Sequence, residues 1–294
     1  MEIQLVKNSL KAVITTHGAE LIELIDGQGK SYIWNGNPEY WIGRNPLLFP
    51  IVGNLKNGKI GLDGQEYFMN RHGFARDQEF SVVEQGEDFV VMEITSNVET
   101  LKLYPREFVL QVRHQLEHDG FTTSFKVTNT DNKMMPFCIG AHTAFHCPLA
   151  EDEVFEDYQI VFDQEETAYP VLLNDEGLIK GQASECVLNN EKVMPLDYEV
   201  FAKVDTVIFK DLHSKGVGLY HKEKGHGVHM SFEGFPMMAF WTKGKEKAPF
   251  ICIEPWHGCA AFENESGIFE DKEACITILP NETKELAYKV RVVE

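Results

Sequence analysis

The chain has 294 residues, 43% of them hydrophobic, which is enough for a large core in one big domain or two smaller ones. With 27 Lys and Arg against 46 Asp and Glu it carries a formal charge of −19, which repels phosphate backbones and anionic bilayers, so neither nucleic acid nor membrane is expected as a partner. The opening MEIQLVKNSLKAVI has no basic leader and no apolar run, and no stretch approaches the roughly 18 apolar residues of a membrane helix, so a soluble, cytoplasmic protein is expected. Cys138, Cys147, Cys186, Cys252, Cys259 and Cys275 include no C-x-x-C pair and read as scattered reduced thiols rather than a disulfide or zinc framework.

Taken in chain order, the dominant period is two. KIGLDGQEYFM turns at Asp63-Gly64, a dipeptide suited to a tight primed turn. FSVVEQGEDFVVMEIT repeats the plan around Gly86. In FVLQVRHQL, Phe108, Leu110, Val112 and Leu116 share one face while Gln111, Arg113 and Gln115 share the other; EHDG turns the chain, and FTTSFKVTN alternates through Phe121, Phe125 and Val127. Leu172–Glu185 reads as a surface excursion, and Pro195–Lys203 as one short helix. VGLYHKEKGHGVHMSF turns near Gly225, and the C-terminal KELAYKVRVV alternates through Leu286, Tyr288, Val290 and Val292. Many short strands without βαβ alternation predict an all-β fold, a large antiparallel sandwich or barrel. No linker or repeat divides it, so residues 1–294 are expected to form one domain.

Four stretches stand out from this background. In GRNPLLFPIVGNL, Arg44 precedes a run that cannot be a regular central strand, because Pro46 and Pro50 lack donors. NRHGFARD sets His72 between Arg71 and Arg76, with Gly73 allowing close backbone approach. MPFCIGAHTAFHCPL carries His142 and His146. FICIEPWHGCAAF places one acid, Glu254, at the end of an apolar run beside Trp256. His142 and His146 would hold one metal if helical, but their neighbours favour extended chain. At about 3.3 Å per residue the two rings then start about 13 Å apart, so no metal is expected there.

Together NPLLFPIVG, RHGFAR, YPREF, MPFCIGAHTAF, DTVIF, AFWT and ICIEPWHG resemble, in order and spacing along nearly the whole chain, the aldose 1-epimerase (galactose mutarotase) family in its LacX-like branch. The resemblance implies a β-supersandwich with a cleft on one sheet and no cofactor. It implies a small-molecule sugar substrate, an aldohexose such as galactose or glucose, interconverted between α and β anomers. By motif, Glu254 is the expected general base and His142 the general acid. His72 is the expected orienting donor, and Arg44 and Asp205 the sugar-hydroxyl ligands. Trp256, or else Trp241, Phe74 or Phe145, would stack on the sugar. Ring opening needs an acid and a base about the C1–O5 unit. Desolvation beside Trp256 should raise the pKa of Glu254, and a nearby carboxylate should raise that of His142. Two alternatives remain open: a hexose 6-phosphate held by Arg44, Arg71 and Arg76, and a non-catalytic sugar-binding protein. The motifs leave the oligomeric state unspecified.

Overall fold

The computed structural model describes residues 1–294, with 50% of them in strands and 9% in helices. Every strand pairing is antiparallel. Nine strands form the larger sheet, in the order Leu188–Pro195, Tyr158–Ala168, Gly216–His221, Gly227–Ser231, Thr283–Val293, Gly120–Asn129, Phe108–Leu116, Phe89–Thr95 and Ser81–Gln85. A second sheet of eight runs Ile179–Gln182, Val171–Leu173, Thr206–Lys210, Met237–Trp241, Phe250–His257, Ile139–Ala141 and Leu47–Leu48, with Thr143–His146 also paired to Phe250–His257. Glu2–Lys7, Leu10–Thr15 and Glu20–Ile25 make a separate three-stranded sheet.

The expected hairpins form where their turn chemistry allows. Asp63 and Gly64 both adopt positive φ (53° and 75°) between strands Lys59–Leu62 and Gln65–Phe68. Phe108–Leu116 pairs with Gly120–Asn129, and its inward positions are buried in strict alternation. The proline-punctuated run yields only the two-residue strand Leu47–Leu48 at a sheet edge. The short helix expected at 195–203 spans Tyr198–Val204, capped by the Asp197 carboxylate on the Glu199 N–H. No helix is long and apolar enough to cross a membrane.

The two large sheets pack face to face. Phe162 of the nine-stranded sheet meets Phe209 and Phe240 of the other, both at centroid distances of 6.0 Å. A polar link crosses the same interface: Asn45 Nδ2 donates to the Tyr288 hydroxyl at 3.1 Å, and the Thr143 hydroxyl donates to Asn45 Oδ1 at 2.7 Å. Because Thr143 adjoins His142, this link fixes the backbone beneath the site.

His114, on an inward position of Phe108–Leu116, joins the nine-stranded sheet to the N-terminal one. Its Nε2–H donates to the Ala19 carbonyl at 2.8 Å, and its Nδ1 accepts from the Thr123 hydroxyl at 2.9 Å. Burial pushes its pKa down from 6.5 to about 4. The folded value lies below the unfolded one, so the unfolded chain takes up the proton first. The contribution is therefore complete above pH 6.5 and is lost as pH falls towards 4, by about 3 kcal/mol. Urea unfolding at pH 7 and pH 4 should show this as a difference: His114→Gln is expected to lose about 3 kcal/mol less than the parent over that interval.

Candidate functional site

The strand Phe250–His257 lies in the middle of the eight-stranded sheet and is buried at every position before His257. Side chains alternate across it. Ile251 and Ile253 join the main core, while Phe250 and Cys252 pack on the opposite face with Trp34 and Ala144. Glu254 shares that second face. Its cross-strand neighbour in Met237–Trp241 is Ala239, and Ala144 is the neighbour of Cys252. Both neighbours are small, so neither side chain reaches over the acid.

The register against residues 139–146 brings the histidine to the acid. Gly140 pairs with Trp256 and Thr143 with Ile253, so the same register sets His142 opposite Glu254. His142 Nε2 lies 3.3 Å from Glu254 Oε2, with Glu254 1% and His142 8% exposed. Both carboxylate oxygens and His142 Nδ1 are buried without a full hydrogen bond. Thr143–His146 is extended as expected, and His146 packs edge-on against Trp34 at 5.4 Å.

His72 arrives from a different direction. It and Gly73 both take positive φ (69° and 76°) in a turn held by the His72 N–H on the Gly53 carbonyl. A Cβ on Gly73 would lie 2.2 Å from the Phe49 carbonyl oxygen, so only glycine fits. The His72 ring stands perpendicular to that of His142, centroids 5.8 Å apart. Donors approach both of its nitrogens: the Gly53 N–H reaches Nδ1 at 3.1 Å and Arg71 Nε reaches Nε2 at 3.0 Å.

Burial dominates the electrostatics. It raises the Glu254 pKa well above the usual carboxylate range, opposed by Arg71 and by the indole N–H of Trp256, and reinforced by Asp205. It lowers His142 to about 3 and His72 well below the usual histidine value, with Arg71 pushing both further down. The direction for Glu254 matches the sequence expectation. For His142 it is reversed, because loss of water from around the ring, reinforced by Arg71 and Arg76, lowers the value.

The other expected residues divide. Trp256 is 4% exposed and borders His72 at 6.5 Å, held by Gly140, where a Cβ would come within 2.7 Å of the indole. Asp205 is exposed, closes helix Tyr198–Val204, and accepts from Trp241 Nε1 at 3.4 Å. Arg76 is turned to the backbone, donating to the Arg71 carbonyl at 2.9 Å. Arg44 donates to the Ile22 carbonyl at 3.3 Å, so its guanidinium is directed to the three-stranded sheet rather than to Glu254. Phe74 and Phe145 are core residues. Two neighbours of the pair give little signal in the sequence. Trp41 lies over His142 at 4.8 Å and against Trp241 at 5.2 Å. Its only mark is an aromatic pair, Tyr40-Trp41, inside an otherwise polar, glycine-rich loop. Arg71 lines a cleft of about 330 Å³ with Asn54, Asp175, Glu176, Lys203 and Asp205. A larger hollow of about 620 Å³ lies on the nine-stranded sheet around Arg113 and Lys126. Chemistry rather than size singles out the smaller cleft, since Arg71 and Asp205 also set the charge around Glu254.

Residues 1–277 match the sequence profile described as aldose 1-epimerase. The chain belongs to the aldose 1-epimerase family. Two LacX proteins of Lactococcus lactis subsp. lactis, plasmid and chromosomal, are each 36% identical to it over 300 residues, covering 100% of both chains. A galactose mutarotase related enzyme from Lactobacillus acidophilus superposes with a TM-score of 0.93 at 27% identity, over 100% of this chain and 98% of that one. A galactose mutarotase-like protein from Lactobacillus casei does so with 0.93 at 28%, over 99% and 100%. The fold is therefore the galactose mutarotase-like supersandwich, as the motifs implied.

Backbone conformation at the His72 turn has a direct test. Gly73→Ala is expected to destabilise the protein by more than about 1 kcal/mol. Gly64→Asn, at a similar φ of 75° where an added Cβ would meet nothing within 4 Å, should stay within about 0.5 kcal/mol of the parent. Chemical denaturation of the two variants side by side measures the contrast.

Proposed function

We propose that this family member is an aldose 1-epimerase acting on a free aldohexose such as galactose or glucose, with Glu254 and His142 as its acid–base pair. The carrying observation is the 3.3 Å contact between Glu254 Oε2 and His142 Nε2, two buried side chains on one face of the sheet. The two oxygens that exchange protons, O1 and the ring O5, are bonded to the same carbon, so their donor and acceptor must themselves be neighbours. Glu254 takes the O1 proton while His142 gives a proton to O5, and the C1–O5 bond opens to the aldehyde. After rotation about C1–C2 the transfers reverse and the ring closes on the other face, leaving the pair with its original proton. Burial favours the neutral pair with its proton on Glu254; passing that proton to His142 across the 3.3 Å contact gives the reactive form, in which the carboxylate raised by burial is the stronger base and the imidazolium lowered by burial the stronger acid. One desolvated environment therefore sharpens both partners.

His72 supports this reading as an orienting donor. A neutral imidazole accepts at one nitrogen only, and the Gly53 backbone is fixed. Arg71 is exposed and free to turn towards a ligand, which leaves His72 Nε2–H to bind a sugar oxygen. Asp205 and Arg71 flank the opening as hydroxyl ligands, and Trp41, Trp241 or Trp256 offers an apolar face. An unphosphorylated substrate is favoured because two of the three arginines suited to phosphate, Arg44 and Arg76, donate to backbone carbonyls. The single-domain expectation for residues 1–294 is supported by one hydrophobic cluster of 77 residues.

Anomer exchange measured by NMR on glucose, galactose and their 6-phosphates is the decisive experiment. Acceleration is expected for a free sugar and should drop by about 10²–10⁴ in Glu254→Gln, with binding kept. His142→Gln should fall as far, and the double variant little further, because the pair acts as a unit. Full activity in Glu254→Gln rejects the assignment. Binding without acceleration in the parent would make the protein a sugar binder on this fold.

A further inference from the structure

We propose that the buried cluster beneath Trp41 and Trp241 is also a binding site for a borderline-soft divalent cation of the zinc class, held by His142, Cys252 and Glu254, and that the cation excludes the sugar reaction when bound. One ligand atom from each of these three residues lies within 4.8 Å of the other two. Cys252 precedes Glu254 by two residues on the same strand face, and His142 stands across from Glu254 on the neighbouring strand. The 3.3 Å between Glu254 Oε2 and His142 Nε2 is already the edge of a tetrahedron whose ligands sit about 2.0–2.2 Å from a central ion. The thiol of Cys252 has the remaining distance to close, from within 4.8 Å of the other two ligand atoms.

Polar atoms in the cluster are short of partners, which is the second observation. Both Glu254 oxygens are buried without a hydrogen bond, although the residue is 1% exposed. Charge balance also favours the ion. Cys252 gives up its thiol proton and the His142–Glu254 pair gives up its single proton, so two protons leave to solvent. One thiolate, one carboxylate and a neutral imidazole then surround a charge of +2, and the buried cluster ends with no net charge. Magnesium and calcium need six or more oxygen ligands, and a single carboxylate cannot supply them; a thiolate and an imidazole select zinc, cadmium or cobalt. The bound ion takes the lone pairs that ring opening uses, so occupancy by the ion and proton transfer exclude each other. Cys252 itself has no part in that proton transfer.

The site is read directly by cobalt titration, independently of whether the protein epimerises sugars. In a Cys186→Ser background, which removes a partly exposed thiol, one equivalent of Co²⁺ should raise a near-ultraviolet thiolate-to-cobalt band. Zn²⁺ should displace it and Mg²⁺ should not. The band should vanish in Cys252→Ala and in Cys252→Ser. If the epimerase activity is found, Zn²⁺ should inhibit it, and Cys252→Ala should keep the parental rate while needing at least about tenfold more Zn²⁺ for the same inhibition. No band in the parent, or an undiminished band in both Cys252 variants, overturns the site. Loss of the activity reading alone leaves the cobalt result standing.

Discussion

The site depends on one register, that between strand Phe250–His257 and residues 139–146. Sliding it by one residue would send Glu254 or His142 to the opposite face of the sheet, into the packed core, because alternate residues point opposite ways. The protein holds this register from several directions. Gly140 is seated against the Trp256 indole, the His142 N–H donates to the Pro46 carbonyl at 3.2 Å, and Thr143 is tied through Asn45 to Tyr288 of the other sheet. A buried acid and a buried histidine are individually costly. Burial pushes the acid's pKa up and the histidine's down, so both are held towards their neutral forms, and that is what lets both be buried in the middle of a sheet.

The turn at His72 meets the same problem by different means. Regular strands cannot bring a third side chain over a pair that already occupies the sheet face, so the chain approaches with two successive residues in the left-handed region. That conformation is costly for histidine and is tolerated because the surroundings determine it: Phe49 and Gly53 hold the turn through backbone hydrogen bonds, and Gly73 removes the side chain that would collide with Phe49. Glu20 extends the support to the neighbouring segment, with its carboxylate accepting the Arg44 and Asn45 N–H groups at 2.9 and 2.6 Å.

The outer strands are legible in the sequence and the central one is not, for a physical reason. Phe108–Leu116 has one face in the core and one towards water, so its residues alternate and its orientation can be read directly. Phe250–His257 is buried on both faces, shows no period, and therefore hides which face, that of Phe250, Cys252 and Glu254 or that of Ile251 and Ile253, looks away from the main core. That His142 opposes Glu254 is a non-local register between segments more than a hundred residues apart, which only the motifs of a known family could suggest. Two smaller departures have the same root. Proximity to a motif points Arg44 at the site, yet its side chain is turned to Ile22. A neighbouring carboxylate points the His142 pKa upwards, whereas desolvation, which depends on the whole fold, decides the sign.

The apparent excursion at 172–185 turns out to be structural. Val171–Leu173 and Ile179–Gln182 form a hairpin that extends the eight-stranded sheet and lays residues 174–177 along the cleft. It is clamped from beneath by Asn54 Nδ2 on the Glu176 carbonyl at 2.7 Å, and at its base by the Ile179 N–H on the Ala261 carbonyl at 2.8 Å. Asp175 and Glu176 at its tip, with Asp205 opposite, face Arg71 and Lys203, so acids and bases nearly balance at the entrance. Charges elsewhere on a chain of net −19 are screened within about 8–10 Å at ordinary ionic strength. A neutral polyol feels neither the distant charge nor a local excess, and its hydroxyls can satisfy both signs at the rim. For an anion, the nearby acids would cancel much of what Arg71 and Lys203 offer. The rim of this cleft therefore sets acids and bases in near balance rather than a purely basic cradle.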